Sequence, residues 1–234
     1  MTLARSAWPI VLVAGGAAFA AHLLCGWFCS GPLLLLALLA WFVFRDPPRE
    51  VPPAPLGIVS PVDGRVLQVE EVRDPYLDRD ARKITLRMQW WGPYLIRSPS
   101  EGKVCQQWYL PQGLNAADLP KADAACIAGD SHPAQPRYAM RVRTDEGDEV
   151  VLVLRGGMIS TRFVSLVRSG GRIGQGQRCG LLRFGGLVEV YVPVVSRVKV
   201  TTGATVQAGS DIIASLVHRA GAGSAEPKEV FESV

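Results

Sequence analysis

The residue types that most often carry chemistry are few and dispersed in this chain. Its cysteines, Cys25, Cys29, Cys105, Cys126 and Cys179, show no C-x-x-C spacing, and two of them sit in an apolar N-terminal stretch. That pattern argues against a disulfide framework or a zinc site, and it predicts a reduced soluble domain facing the cytoplasm. The histidines, His22, His132 and His218, are too far apart in the chain to suggest a ligand set, so no metal is expected. A formal net charge of +4, without any Lys/Arg tract interleaved with aromatics, predicts no nucleic-acid partner. On a protein fixed to a bilayer the same modest excess would attract acidic head groups, although ordinary surface composition gives it as well.

The elements that must position any site begin with an anchor. No Asp, Glu, Lys or Arg occurs between Ala7 and Phe44. One spanning helix needs roughly 20 residues at 1.5 Å rise each, so this stretch is too long for one pass and long enough for two short ones. Ser30-Gly31-Pro32 is the expected break. Arg5 precedes the apolar run and Arg45 and Arg49 follow it, with no basic residue in the turn. The positive-inside tendency then places both ends in the cytoplasm, as a helical hairpin in the inner membrane over residues 1–45. The run is too long, and its end too poor in small residues, for a cleaved signal peptide.

A proline-rich connector, 46–55, leads to a β-rich domain over 56–218, and a flexible tail follows over 219–234. Ile58-Val59, Arg65 to Val72, Lys83 to Met88, Ala139 to Arg143, Val150 to Leu154 and Val188 to Val192 alternate or run apolar, which predicts strands. Asp63-Gly64, Glu146-Gly147, Gly156-Gly157, Gly170-Gly171 and Gly185-Gly186 mark turns between them. The segment from about 113 to 136 is rich in Ala, Asp, Pro and Gly and reads as a mobile loop. Two segments share a spacing: Val167, Gly170, Ile173, Gly176 and Val200, Gly203, Val206, Gly209. Each predicts strand, tight turn, short strand and turn, with Gly supplying the positive φ that the turns require. Small β-barrels of the lipoyl/biotinyl type use this pattern. Neither repeat carries a suitably placed lysine for a carrier role, so the repeat points to architecture.

Several segments, in order, resemble the short, membrane-anchored phosphatidylserine decarboxylase family: Trp8-Pro9, the apolar hairpin, Phe44-Arg45-Asp46-Pro47, Ser60-Pro61-Val62-Asp63-Gly64 and Leu181 to Pro193. The resemblance implies an enzyme that breaks its own Gly-Ser bond in an Arg-Phe-Gly-Ser segment. The serine hydroxyl attacks the preceding carbonyl carbon, and elimination and hydrolysis of the ester leave a pyruvoyl group. That ketone holds the substrate amine as a Schiff base and takes up the electrons left by CO2. In this chain the segment reads Arg183-Phe184-Gly185-Gly186, and glycine has no hydroxyl. No pyruvoyl cofactor is therefore expected.

A second departure lies where the family has Asp-Val-His-Val-Asn-Arg-Ala-Pro. Here Gly92 stands at the aspartate position and Tyr94 at the histidine position, while Arg97 and Pro99 match. A phenol near pKa 10 is a poor acid–base substitute for an imidazole near 6.5. Asp63, the family's acidic position, is retained, although Asp-Gly is also a favoured turn pair. Gly209-Ser210 and Gly223-Ser224 lack the Arg-Phe context and offer no substitute for the lost serine. The expectation is a family member without activity that keeps its membrane surface. Arg97, Arg162 and Arg183 are candidates for a lipid phosphate, since guanidinium forks suit phosphate oxygens. Such a protein would bind anionic phospholipid, self-associate, or pair with an active homologue. An enzyme working by another route and a non-enzymatic envelope adaptor are the competing readings.

Overall fold

The computed structural model describes residues 2–3, 8–26, 31–35, 38, 45–46, 49–89, 94–110, 136–156, 163–182 and 185–217. The expected loop at 113–136, apart from Pro136, and the expected tail lie outside these residues. At the N-terminus, α1 (Trp8–Cys25) exposes Leu12, Val13, Phe19, Leu23 and Leu24. It ends at Gly26, whose N–H donates to the His22 carbonyl (3.0 Å) and whose φ is +69°. That left-handed glycine stops the helix before the expected Ser30-Gly31-Pro32 break. At 1.5 Å per residue, α1 spans about 27 Å, short of a hydrocarbon core of about 30 Å. Among the described residues no helix is long and apolar enough to cross a membrane, so the two-pass hairpin is not found there. The flanks of the apolar stretch do meet: β1 (Thr2–Leu3) pairs antiparallel with β2 (Arg45–Asp46).

From Gly57 onward the regular elements among the described residues are all β-strands. In chain order the strands are β3 (Gly57–Val59), β4 (Gly64–Asp74), β5 (Arg79–Met88), β6 (Leu95–Arg97), β7 (Gly102–Leu110), β8 (Arg137–Arg143) and β9 (Glu149–Gly156). They continue as β10 (Phe163–Ser165), β11 (Arg172–Ile173), β12 (Arg178–Leu182), β13 (Gly186–Pro193), β14 (Arg197–Val198), β15 (Thr205–Val206) and β16 (Ile212–Ser215). Eight of them form one antiparallel sheet in the order β11-β7-β8-β9-β13-β5-β4-β15. Two small sheets, β10-β12-β6 and β14-β16-β3, complete the fold.

Period-two alternation decides the faces. Val66, Ile84, Leu86, Val188, Val190, Leu152 and Met140 point from the large sheet into the main core, where they meet Ile58, Ile96, Leu182 and Ile213 of the small sheets. Each such buried side chain contributes about 1.5–3 kcal/mol, so this layer dominates the stability. The opposite face carries a smaller cluster of Ala81, Ala139, Val151, Val153 and Tyr191, flanked by Tyr76 and Trp108.

The expected glycine repeat is realised as turns: Gly170, Gly176, Gly203 and Gly209 all have positive φ. The repeats do not close into separate small barrels. Each supplies one edge strand of the large sheet, β11 or β15, and one strand of a small sheet, β12 or β16. Ahead of each repeat lies a matching turn, Ser60-Pro61-Val62-Asp63-Gly64 or Ser98-Pro99-Ser100-Glu101-Gly102. Ser60 Oγ donates to the Val62 carbonyl and Ser98 Oγ to the Ser100 carbonyl, each at 2.7 Å. The turns exchange backbone bonds, Arg97 N to Pro61 O (2.8 Å) and Val59 N to Pro99 O (2.9 Å). The two halves are thus related by an approximate twofold. Gly64 and Gly102 are required by close approach, because a Cβ at either would overlap the carbonyl of Arg87 or Arg143.

Candidate functional site

The site is built on the start of β13, a central strand held on both sides by β5 and β9. Gly185 has φ +76°, so the chain turns sharply there before entering the strand at Gly186. Only glycine adopts that conformation at little cost. Gly186 pairs with Gly156 of β9, and Leu187 with Arg87 of β5. Gly64 in turn faces Met88. With strands about 4.8 Å apart, Asp63 at the end of β4 therefore lies roughly 10 Å from the Gly185-Gly186 turn, two strands away.

Asp63 is occupied. It is 8% exposed, and its Oδ1 accepts the Ala208 N–H at 2.7 Å. Its Oδ2 accepts from Arg49 Nη2, also at 2.7 Å. The carboxylate thereby ties the connector to the turn of the second repeat. Ser210 follows Gly209 in that same turn, where Gly209 N donates to the Ser60 carbonyl (2.8 Å).

Tyr94 is adjacent to the segment. It is buried, and its carbonyl accepts the Leu182 N–H (3.0 Å) just before the Arg183-Phe184 positions. Burial raises its phenol above the ordinary 10, so it stays protonated and serves poorly as a base at neutral pH. Ile96, at the family's asparagine position, is fully buried in the core. The Arg97 guanidinium donates through Nη1 to the Gly176 carbonyl (3.0 Å), wedged against Gly209, where the two repeats meet. Gly92, Arg162 and Arg183 lie outside the described residues.

The sequence reading missed a buried polar cluster one step along β13. Arg155 Nη2 pairs with Glu189 Oε1 at 2.7 Å, and the Tyr191 hydroxyl donates to Glu189 Oε2 at 3.0 Å. Burial, together with the Glu189 carboxylate, pushes the Tyr191 phenol far up. The available signal was period two: Glu189 and Tyr191 alternate with Val188, Val190 and Val192, so they belong to the other face. Cys179, on β12, is wholly buried and its thiol is pushed up to about 12, which makes it a core residue and no nucleophile.

A glycine turn opening a central β-strand, together with a matched pair of Ser-Pro-x-acid-Gly turns elsewhere in the fold, defines a two-layer β protein built around one signature segment. The profile of the family described as phosphatidylserine decarboxylase matches residues 36–214. A phosphatidylserine decarboxylase proenzyme of Nitrosomonas eutropha is 38% identical over 212 residues, covering 91% of this chain and 94% of that protein. The protein of the same name from Aromatoleum aromaticum is 38% identical over 214 residues, covering 92% and 95%. The chain belongs to the phosphatidylserine decarboxylase family, in its bacterial form.

Proposed function

We propose that this chain is a membrane-bound family member that remains one polypeptide and does not decarboxylate phosphatidylserine. One observation carries the reading: residue 186 is glycine at the head of β13, where self-cleavage needs a hydroxyl. The turn at Gly185 is kept, but the atom that would attack the Gly185 carbonyl does not exist. The residues present do not fit a pyruvoyl group at this position. Tyr94 and Asp63 support the same reading, one as a buried phenol and the other as a carboxylate committed to structural bonds.

The reading includes an anchor in the inner membrane formed by the uncharged N-terminal stretch, with the β domain on the cytoplasmic side. Two features support it: the exposed apolar side chains of α1, and the β1–β2 pairing, which sets both ends of the stretch side by side. The function that remains is binding of acidic phospholipid, alone or in association with another copy or an active homologue.

The test is a decarboxylation assay on purified full-length chain in neutral detergent, supplied with serine-headed phospholipid labelled in the carboxyl carbon. No labelled CO2 above a protein-free control is expected. Release of CO2 at a rate proportional to protein would reject the proposal.

A further inference from the structure

At the edge of the large sheet formed by β11, β7 and β8, the register sets three cations side by side. Arg172 is directly opposite Lys103, and Lys103 directly opposite Arg143. All three are exposed. Like charges directly opposite on adjacent strands destabilise a sheet, so this row needs negative charge. Asp145 supplies some of it, pairing with Arg172 at 2.5 Å. Glu149, opposite Arg143, is committed to Arg141. Lys103 and Arg143 have no ion pair or side-chain hydrogen bond among the described residues.

The three cations line a groove of about 620 Å³ together with Cys105 and Thr144. Thr144 is 6% exposed, and its Oγ1 accepts the Asp148 N–H (3.1 Å). Its hydroxyl hydrogen meets no acceptor among the described residues, so it is a donor held at the groove wall. Positive charge and a spare donor suit an anion. Cys105 is therefore not an isolated thiol. It is part-exposed, and its Sγ donates weakly to the Lys103 carbonyl (3.6 Å).

A β-bulge delivers the thiol to this place. The pairing of β7 with β8 skips Cys105 between Val104 and Gln106. Such an extra residue is left out of the ladder, and its side chain is re-aimed. The approximate twofold puts the same skip in the other half, where β4 passes over Leu67 between Val66 and Gln68. Matching positions thus carry a hydrocarbon in one half and a thiol in the other.

We propose that Cys105 is a thiol-exchange site whose groove selects acidic disulfides of the glutathione class. Each half of such a disulfide carries two carboxylates and one ammonium, a net negative charge that Lys103 and Arg143 attract. A row of three strands at about 4.8 Å spacing is roughly 10 Å across, enough to meet the carboxylates of one half. Cys105 gives up its proton to water, and its thiolate attacks one sulfur of the disulfide. The new bond joins Cys105 to that half, the original S–S bond breaks, and the departing thiolate takes up a proton. Cys105 is oxidised to the mixed disulfide while the other half of the reagent is reduced. The site stands apart from the Gly185-Gly186 segment and does not depend on whether the chain decarboxylates.

The experiment incubates full-length chain, in neutral detergent at neutral pH, with one of three disulfides. Glutathione disulfide is anionic, cystamine cationic and bis(2-hydroxyethyl) disulfide uncharged. Peptide mass mapping over time gives the rate of mixed-disulfide formation at Cys105 itself. Lys103→Gln/Arg143→Gln is expected to slow glutathione disulfide about fivefold, to speed cystamine, and to change the uncharged reagent less than twofold. The uncharged reagent reads the thiol's own reactivity and so separates it from charge selection. Both substituted residues are exposed, and matched thermal unfolding checks that the variant folds as the parent does. A second measurement needs no variant: raising salt from about 0.02 to 0.5 M is expected to slow glutathione disulfide in the parent and leave the uncharged reagent unchanged. The assignment is overturned by no adduct at Cys105 in the folded chain, by unchanged rates in the variant, or by equal slowing of all three reagents.

Discussion

Replacing Asp63 separates structural from chemical retention of a family residue. Its Oδ1 accepts a buried backbone N–H from Ala208, and its Oδ2 holds Arg49, whose side chain is 17% exposed. Asp63→Ala leaves the Ala208 N–H without its acceptor, at about 1–3 kcal/mol, and releases a partly screened ion pair worth about 1 kcal/mol. A total of about 2–4 kcal/mol corresponds to a fall in Tm of roughly 5–15 °C for a domain of this size. Asp63→Asn keeps an acceptor for Ala208 and loses only the charge, so about 1 kcal/mol and roughly 2–4 °C are expected. Thermal unfolding of the full chain in neutral detergent, followed by circular dichroism, gives both numbers. An Asp63→Ala Tm within about 2 °C of the parent would refute the structural role, and so would an Asp63→Asn loss as large as that of Asp63→Ala.

Other perturbations follow from the same geometry. Gly186→Ser alone is expected to leave the chain uncut, because Tyr94 and Gly92 still replace the family's histidine and aspartate; two fragments on a denaturing gel would contradict this. Glu189→Ala removes the carboxylate that neutralises buried Arg155, with an expected cost of about 3–5 kcal/mol, readable as a large fall in Tm. Burial raises the Asp74 carboxyl above its ordinary 3.8, outweighing the Tyr76 N–H bond and Arg79 that lower it. Its folded value exceeds its unfolded one, so stability from this residue is greatest in acid and falls as pH rises through the folded value. Asp74→Asn is expected to raise Tm at pH 7 and flatten that slope; a lower Tm at pH 7 would count against it. At pH 8 iodoacetamide is expected to modify part-exposed Cys105 while sparing buried Cys179, which peptide mass mapping of the folded chain can check.

Much of the fold was legible where chain chemistry is local. The glycines at 170, 176, 203 and 209 had to be turns because of their spacing, and all four have left-handed backbones. Runs such as Val150 to Leu154 and Val188 to Val192 lie on buried strands. β7 was not legible: Gly102–Leu110 mixes Lys, Gln and Trp, and it becomes a strand because β8 and β11 pair with it. Its preceding turn, Ser98 to Gly102, copies Ser60 to Gly64, and that copy was the overlooked sign of the twofold. The helix stop at Gly26 was also missed, since a single glycine gave way in the reading to the stronger Gly-Pro pair five residues on. At the site, the loss of a hydroxyl at 186 is a property of residue identity and was visible at once. The Arg155–Glu189 pair was invisible, because those residues come together only through the pairing of β9 with β13.

The central claim concerns one peptide bond, between Gly185 and Gly186. Mass spectrometry of the intact, full-length chain purified from cells tests it most directly. The account predicts one species near 25.3 kDa that does not react with hydroxylamine. Two fragments parted at that bond, the C-terminal one bearing a hydroxylamine-reactive carbonyl, would contradict it.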